Sequence, residues 1–153
     1  MSDAVERFYA AFAARDGDTM AGFYAPGSRF SDPAFGELTG EEAGDMWRML
    51  TGRAEDLEIE LREHEVDGDR GSARWIARYT FAQTGRHVVN DVRATFRLSA
   101  DGRFAEHDDA FSFWTWSRQA LGPAGLALGW TPILRGQVRG RARKQLAAYR
   151  ARG

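Results

Sequence analysis

Two short stretches of this chain carry side chains able to move protons. In FSDPAFGELTG, residues 30–40, Asp32 precedes a proline, an aromatic residue and two glycines. A carboxylate in that setting has two uses: it accepts hydrogen bonds from the backbone just ahead and shapes a turn, or it works as a base at the floor of a pocket. In EHDDAF, residues 106–111, His107 and Asp109 are two apart, so on a strand both side chains project from the same face. Burying an unpaired carboxylate costs on the order of several kcal/mol. An inward-facing His and Asp are therefore either a satisfied polar pair in the core or the lining of a functional cavity. The imidazole titrates near neutral pH by default, which suits proton transfer.

Other chemistries lack their residues. The absence of cysteine removes a thiolate metal site, a cysteine nucleophile and a disulfide framework. His64 and His87 fall near strand ends, and one His with two Asp from separate elements makes no recognised ligand spacing, so no metal is expected. There is no Gly-rich phosphate loop, dinucleotide fingerprint or serine-hydrolase elbow. The expectation is acid–base chemistry without a cofactor.

Three helices and a set of long strands must position these groups. Val5, Phe8, Tyr9, Phe12 and Ala13 recur at spacings of three and four and predict a helix over 3–15. Met20, Phe23 and Tyr24 extend the pattern into a second helix over about 17–24, and SRFSDPAF reads as a short strand or extended arm ending at Pro33. Thr39 with Glu42 forms a capping box for a third helix whose buried face is Met46, Trp47 and Leu50. From residue 57 the period changes to two. LEIEL, SARWIARYTF, HVVNDVRATFRL and RFAEHDDAFSFW alternate and are separated by the Gly-containing turns VDGDRG, QTGR and SADGR, which predicts a four-stranded antiparallel meander. The fold class is α+β. Beyond Trp116 a helical turn is broken at Gly122-Pro123, and Pro132 opens a last amphipathic helix with Leu134, Val138, Ala142, Leu146 and Tyr149 on one stripe.

At 153 residues the chain suits one domain with a substantial core. It divides into 1–116 and a helical extension, 117–153, packed on the same domain. The net charge of −1 conceals an asymmetry: eight positive and no negative residues follow Asp109, which leaves the first 109 residues nine units negative. That basic segment suits either an anionic surface or the acidic body of its own protein. It lacks the interleaved aromatics of a nucleic-acid binder, so no nucleic acid is expected. The N-terminal stretch is acidic and helical where a signal peptide would be basic and apolar, which suggests a cytoplasmic protein, and LGPAGLALGWTPIL is too short and too broken to span a bilayer.

The stretch ARDGDTMAGFYAPGSRFSDPAFGELTGEEAGDMW, residues 14–47, followed by long strands and DGRFAEHDDAF in the last hairpin, resembles the nuclear transport factor 2-like superfamily and, within it, the SnoaL-like and ketosteroid isomerase-like branch. The resemblance covers roughly 3–116 and implies a cone-shaped curved antiparallel sheet wrapped around three N-terminal helices, with an apolar pocket inside. The C-terminal amphipathic helix is additional to that pattern. Strand alternation and the register implied by the resemblance place the same residues inside: Trp75, Ala77, Tyr79, Phe81, Asn90, Val92, Ala94, Phe96, His107, Asp109 and Phe111. Asp32 falls on the isomerase's general base, but the two oxyanion donors of that enzyme are replaced by Phe8 and Ala94, with Tyr9 one position off. Asp109 falls where SnoaL-like cyclases and limonene epoxide hydrolase-like enzymes carry a carboxylate. Asp91 and Arg93, which would complete the hydrolase pattern, alternate outward.

These readings converge on a protein that binds a small apolar molecule. Asp32, His107 and Asp109 are the catalytic candidates, and Trp47, Trp75, Tyr79, Asn90, Val92 and Phe111 are the ligand-binding ones. Isomerisation, aldol cyclisation, dehydration and epoxide hydrolysis are the reaction types implied. The alternatives are a noncatalytic ligand-binding or dimerisation module and an adaptor that binds polyanions through its basic helix. Trp47, Trp75 and Tyr79 are equally suited to being ordinary core. A homodimer through the outer sheet face is expected.

Overall fold

The computed structural model of the chain describes residues 3–53 and 55–152. Asp3 accepts a hydrogen bond from Glu6 N at 2.8 Å and starts α1 (Ala4–Ala13), which buries Val5, Phe8, Tyr9 and Phe12. α2 (Gly17–Ala21), capped by Asp16, ends earlier than the spacing of Phe23 and Tyr24 predicts. The cause is strand pairing: Phe104 N donates to Phe23 O at 2.7 Å, and Tyr24 opens β1 (Tyr24–Asp32) instead of continuing a helix. β2 (Gly36–Thr39) leads into α3 (Gly40–Arg53) through the expected capping box, with Thr39 N donating to Glu42 Oε1 at 3.0 Å and Glu42 N to Thr39 Oγ1 at 3.1 Å.

β3 (Glu58–Asp67), β4 (Arg70–Phe81), β5 (Arg86–Leu98) and β6 (Phe104–Ala110) form the antiparallel meander. The sheet is larger than four strands. Its order is β2-β1-β6-β5-β4-β3, with β1 parallel to β6. Pro26 and Gly27 interrupt β1 and its register shifts between Tyr24 and Arg29, so alternation alone shows little of this strand. The curved, unclosed sheet wraps α1 and α3. Phe8 is fully buried on the axis, its ring within 6.4 Å of those of Tyr9, Phe23, Tyr24, Trp47, Phe96, Phe104 and His107.

The last strand is shorter than RFAEHDDAFSFW predicts. It ends at Ala110, because Ser112 Oγ accepts from Thr115 N at 3.1 Å and caps α4 (Phe113–Ala120). α4 joins Val88 of β5 in a second apolar cluster through Phe113, Trp116 and Ala120. α5 (Pro123–Leu128) lies so close to α4 that a Cβ at Gly125 would overlap the Ser117 carbonyl. α6 (Pro132–Arg152) buries Leu146, half-buries Leu134, Val138, Ala142 and Tyr149, and turns several arginines onto the cone. Arg143 Nη1 donates to Phe35 O at 2.9 Å and Glu37 O at 3.0 Å, and Arg150 Nε donates to Asp45 Oδ2 at 3.0 Å. Among the described residues no helix is long and apolar enough to cross a membrane.

Candidate functional site

The cone encloses a cavity of about 610 Å³. Its walls follow from the register of the meander, which sets Trp75 opposite Val92, Ala77 opposite Asn90, Ala94 opposite Asp109 and Phe96 opposite His107. Trp47 and Leu50 come from α3, Trp116 from α4, and Leu134, Gln137, Val138, Arg141, Ala142 and Gln145 from α6. All six residues expected to meet a ligand, Trp47, Trp75, Tyr79, Asn90, Val92 and Phe111, line this space, together with Asp32 and Asp109.

His107 does not line it. Its side chain is fully buried one layer behind Asp109, between Phe30 and Phe96. A hydrogen-bond chain runs through it: Trp47 Nε1–H donates to Tyr24 Oη at 2.8 Å, Tyr24 Oη lies 2.7 Å from His107 Nδ1, and His107 Nε2 lies 2.9 Å from Asp109 Oδ1. The indole can only donate, and burial drives the Tyr24 phenol pKa well above its ordinary value, so the phenol keeps its proton. If the imidazole carried hydrogens on both nitrogens, the buried Tyr24 hydroxyl would have no acceptor for its own. The satisfied arrangement therefore has Tyr24 donating to Nδ1 and Nε2–H donating to Asp109. This holds one carboxylate oxygen of Asp109, whose side chain also lines the cavity.

Asp32 shapes a turn and also faces the cavity. Its Oδ1 accepts from Ala34 N at 2.9 Å and Phe35 N at 2.6 Å, which organises the turn into Gly36, where φ is +75°. The same carboxyl group lines the cavity, and its pKa is pushed up to about 7, first by removal from water and then, opposed by the Phe35 amide, by the nearby charge of Asp109. The Ala34 amide and Arg139 hold it from rising further. The arrangement has two carboxyl groups in one apolar space, one tied to a histidine and one biased toward the neutral acid.

Two further groups supply hydrogen-bonding capacity. Tyr79 Oη accepts from Trp116 Nε1 at 2.8 Å, its own hydrogen has no acceptor among the described residues, and burial raises its pKa. Asn90 also faces the cavity, and its side chain makes no hydrogen bond among the described residues. Trp75 Nε1 and Tyr9 Oη are buried without partners among the described residues, with ring centroids 5.6 Å apart. Asp91 lies outside the cone, where Arg74 Nη2 donates to it at 2.7 Å. Away from the cavity, Asp3, Glu6 and His64 bring potential metal-ligand atoms within 4.8 Å of one another at the surface, where Asp3 already caps α1.

Tyr24 and Arg139 escaped the sequence reading. Tyr24 shares the helical spacing of α2, and only its pairing with β6 turns the hydroxyl toward His107. Arg139 is one of many arginines on α6, and nothing local marks it as the one beside Asp32. A nearby arginine of the same helix ties α6 to the turn between β4 and β5, where Arg141 Nη1 donates to Gln83 Oε1 at 2.8 Å.

Solved structures share this architecture. A protein from Catenulispora acidiphila described as having a ketosteroid isomerase-like fold is 18% identical with a TM-score of 0.68, over 86% of this chain and 100% of the other. A candidate polyketide cyclase from Xanthomonas campestris is 20% identical with a TM-score of 0.63, over 76% and 93%. TsrD from Streptomyces laurentii is 26% identical with a TM-score of 0.62, over 77% and 92%. No curated protein matches by sequence. Residues 5–107 match the family described as SnoaL-like domain, and with more than half of its length in that match, this chain belongs to the SnoaL-like family.

Proposed function

We propose that the cavity binds a small apolar molecule bearing a carbonyl or comparable oxygen and moves a proton on it without a cofactor. The observation that carries this reading is Asp109, a carboxylate in an apolar cavity with one oxygen held by the buried His107–Tyr24–Trp47 chain. Asp109 is the base. His107 acts through it as a positioning residue and not by touching the ligand. Asp32 supplies the acid form near neutral pH, and Tyr79 and Asn90 donate to the ligand oxygen where charge develops. The aromatic walls select a flat, apolar ligand, and the volume lies in the range of about 300–1,000 Å³ typical of small-molecule sites. The similarity to a candidate polyketide cyclase favours a cyclase or isomerase type of reaction over hydrolysis.

Proton exchange tests this without knowledge of the natural substrate. With 2-tetralone as the probe in D2O, the protein should catalyse deuterium uptake at the carbon next to the carbonyl, followed by NMR. Asp109→Asn should lower that rate by about 100-fold or more while retaining probe binding, the loss typical of removing a general base. Binding without exchange in the unaltered protein would favour the alternative, a noncatalytic binding module, for which the full engagement of Asp32 Oδ1 in its turn is the supporting observation. The reading includes a homodimer through the outer sheet face, where the pairs Arg74–Asp91 and Arg78–Glu60 present both charge signs to a second copy. Sedimentation as a monomer would remove that part.

A further inference from the structure

The large apolar side chains that the described residues expose are concentrated in one region. Leu126, Leu128, Trp130 and Ile133 are 55%, 51%, 72% and 75% exposed, all within eight consecutive positions of α5 and the start of α6. The other two, Trp114 and Val89, adjoin them: Trp114 Nε1 donates to Leu126 O at 3.1 Å, and Val89 is held through its backbone by Gln119 of α4. Packing does not require this exposure, because Gly125 makes the contact with α4 while Leu126 and Leu128 turn away from it. A cluster of this kind on a soluble fold marks a contact surface.

Charge identifies what it contacts. No acidic residue occurs after Asp109, and Arg118 and Arg135 flank the cluster without an ion pair among the described residues. Instead their guanidinium groups lie over Trp114 at 4.9 Å and Phe113 at 5.3 Å, so each cation sits beside an aromatic ring. Exposed Trp, Leu and Ile flanked by two arginines without ion pairs among the described residues match the boundary between anionic headgroups and acyl chains. The location also matters. Leu121 and Leu134, on either side of the cluster in sequence, line the cavity, and its most exposed lining residues, Gln83, Gln137 and Arg141, mark a rim built partly by the first turns of α6.

We propose that residues 114–135 dock on the surface of an anionic phospholipid bilayer, burying Leu126, Leu128, Trp130 and Ile133 among the lipids and turning the cavity rim toward them. An apolar ligand then enters from the bilayer instead of from water. The docking surface stands independently of the chemistry in the cavity; only the ligand's route rests on the binding reading.

Flotation with vesicles of phosphatidylcholine containing phosphatidylserine, compared with phosphatidylcholine alone, tests the proposal. The full chain should float with the anionic vesicles, and Trp fluorescence should be quenched by bromine-labelled acyl chains. Trp130→Ser with Ile133→Ser should weaken binding by about tenfold or more, and Arg118→Gln with Arg135→Gln should weaken it similarly and flatten its salt dependence. Neither pair lines the cavity, so both should still bind 2-tetralone in solution. Loss of that binding in the unaltered protein would overturn the reading of the cavity and leave the docking surface standing. Failure to float with anionic vesicles, or flotation unaffected by the Trp130 and Ile133 changes, would overturn the docking proposal. So would a dimer that those two changes convert to monomer, since the cluster would then be an interface between copies.

Discussion

The cone and the C-terminal segment are held by different physics. In the cone, Phe8 sits among seven aromatic rings and the groups of the Trp47–Tyr24–His107–Asp109 hydrogen-bond chain are satisfied by one another out of water. α6 fully buries one large side chain, Leu146, packs Val138, Ala142 and Tyr149 only partly, and adds guanidinium groups on backbone carbonyls and carboxylates near the surface. Apolar burial is not screened by salt and is intolerant of lost volume, whereas exposed charge contacts are each weak and are screened. Asp109 is therefore set in the packed body of the cone, while one wall of the cavity belongs to an element attached mainly near the surface.

The sharpest way to break the contrast is to remove volume from the cone. Phe8→Ala should destabilise the protein by about 3–5 kcal/mol in denaturant unfolding, the cost of a large aromatic deletion in a packed core. A loss near that of an exposed residue would mean that the aromatic cluster is loosely packed.

Next in size is a pH effect at Asp32, where the two regions meet through Arg139. The folded carboxyl titrates at about 7 against an ordinary 3.8, so between those values the folded state keeps a proton that the unfolded chain has released. Stability from this group is therefore lost as pH rises from the lower value toward the higher, and the loss is complete above it. Asp32→Asn keeps an acceptor for Ala34 and Phe35 and removes the penalty. It should be more stable than the unaltered protein by up to about 4 kcal/mol above neutral pH and show a flatter profile in thermal unfolding. Equal slopes for the two proteins would exclude Asp32 as the titrating group.

Smaller effects should follow in the extension. Arg143→Ala removes the bonds to Phe35 O and Glu37 O and should cost roughly 1 kcal/mol. Hydrogen exchange should rise in α6 while β4 and β5 stay protected, and exchange rising equally in both would show that the segment and cone unfold as one. Gln83→Ala, which cuts the exposed bridge from Arg141 across the rim, should change stability by less than about 0.5 kcal/mol. Its readout is a faster release of bound 2-tetralone in stopped-flow fluorescence; an unchanged rate would place the ligand's exit elsewhere.

Much of the fold is written locally. The reciprocal Thr39 and Glu42 cap, the stripe of α1 and the period-two runs from 57 onward each depend on neighbours a few positions away, so pattern alone sets them. The same alternation separates Trp75, Tyr79, Asn90 and Asp109, inside, from Asp91, outside. Short-range competition misled it in two places: Tyr24 continues a helical spacing yet joins a strand, and FSFW continues a strand-like run yet starts a helix under Ser112.

Local pattern sets the α+β order, the inward set of side chains and the presence of two carboxylates and a histidine among them. Only the tertiary structure decided that His107 stands behind Asp109 and not beside a ligand, that Asp32 both turns the chain and faces the cavity, and that α6 supplies a wall. Facing direction is a property of one strand and follows from its pleat. Depth, partners and charge environment depend on residues brought together from across the chain, such as Tyr24 with His107 and Arg139 with Asp32, and no local pattern encodes those meetings.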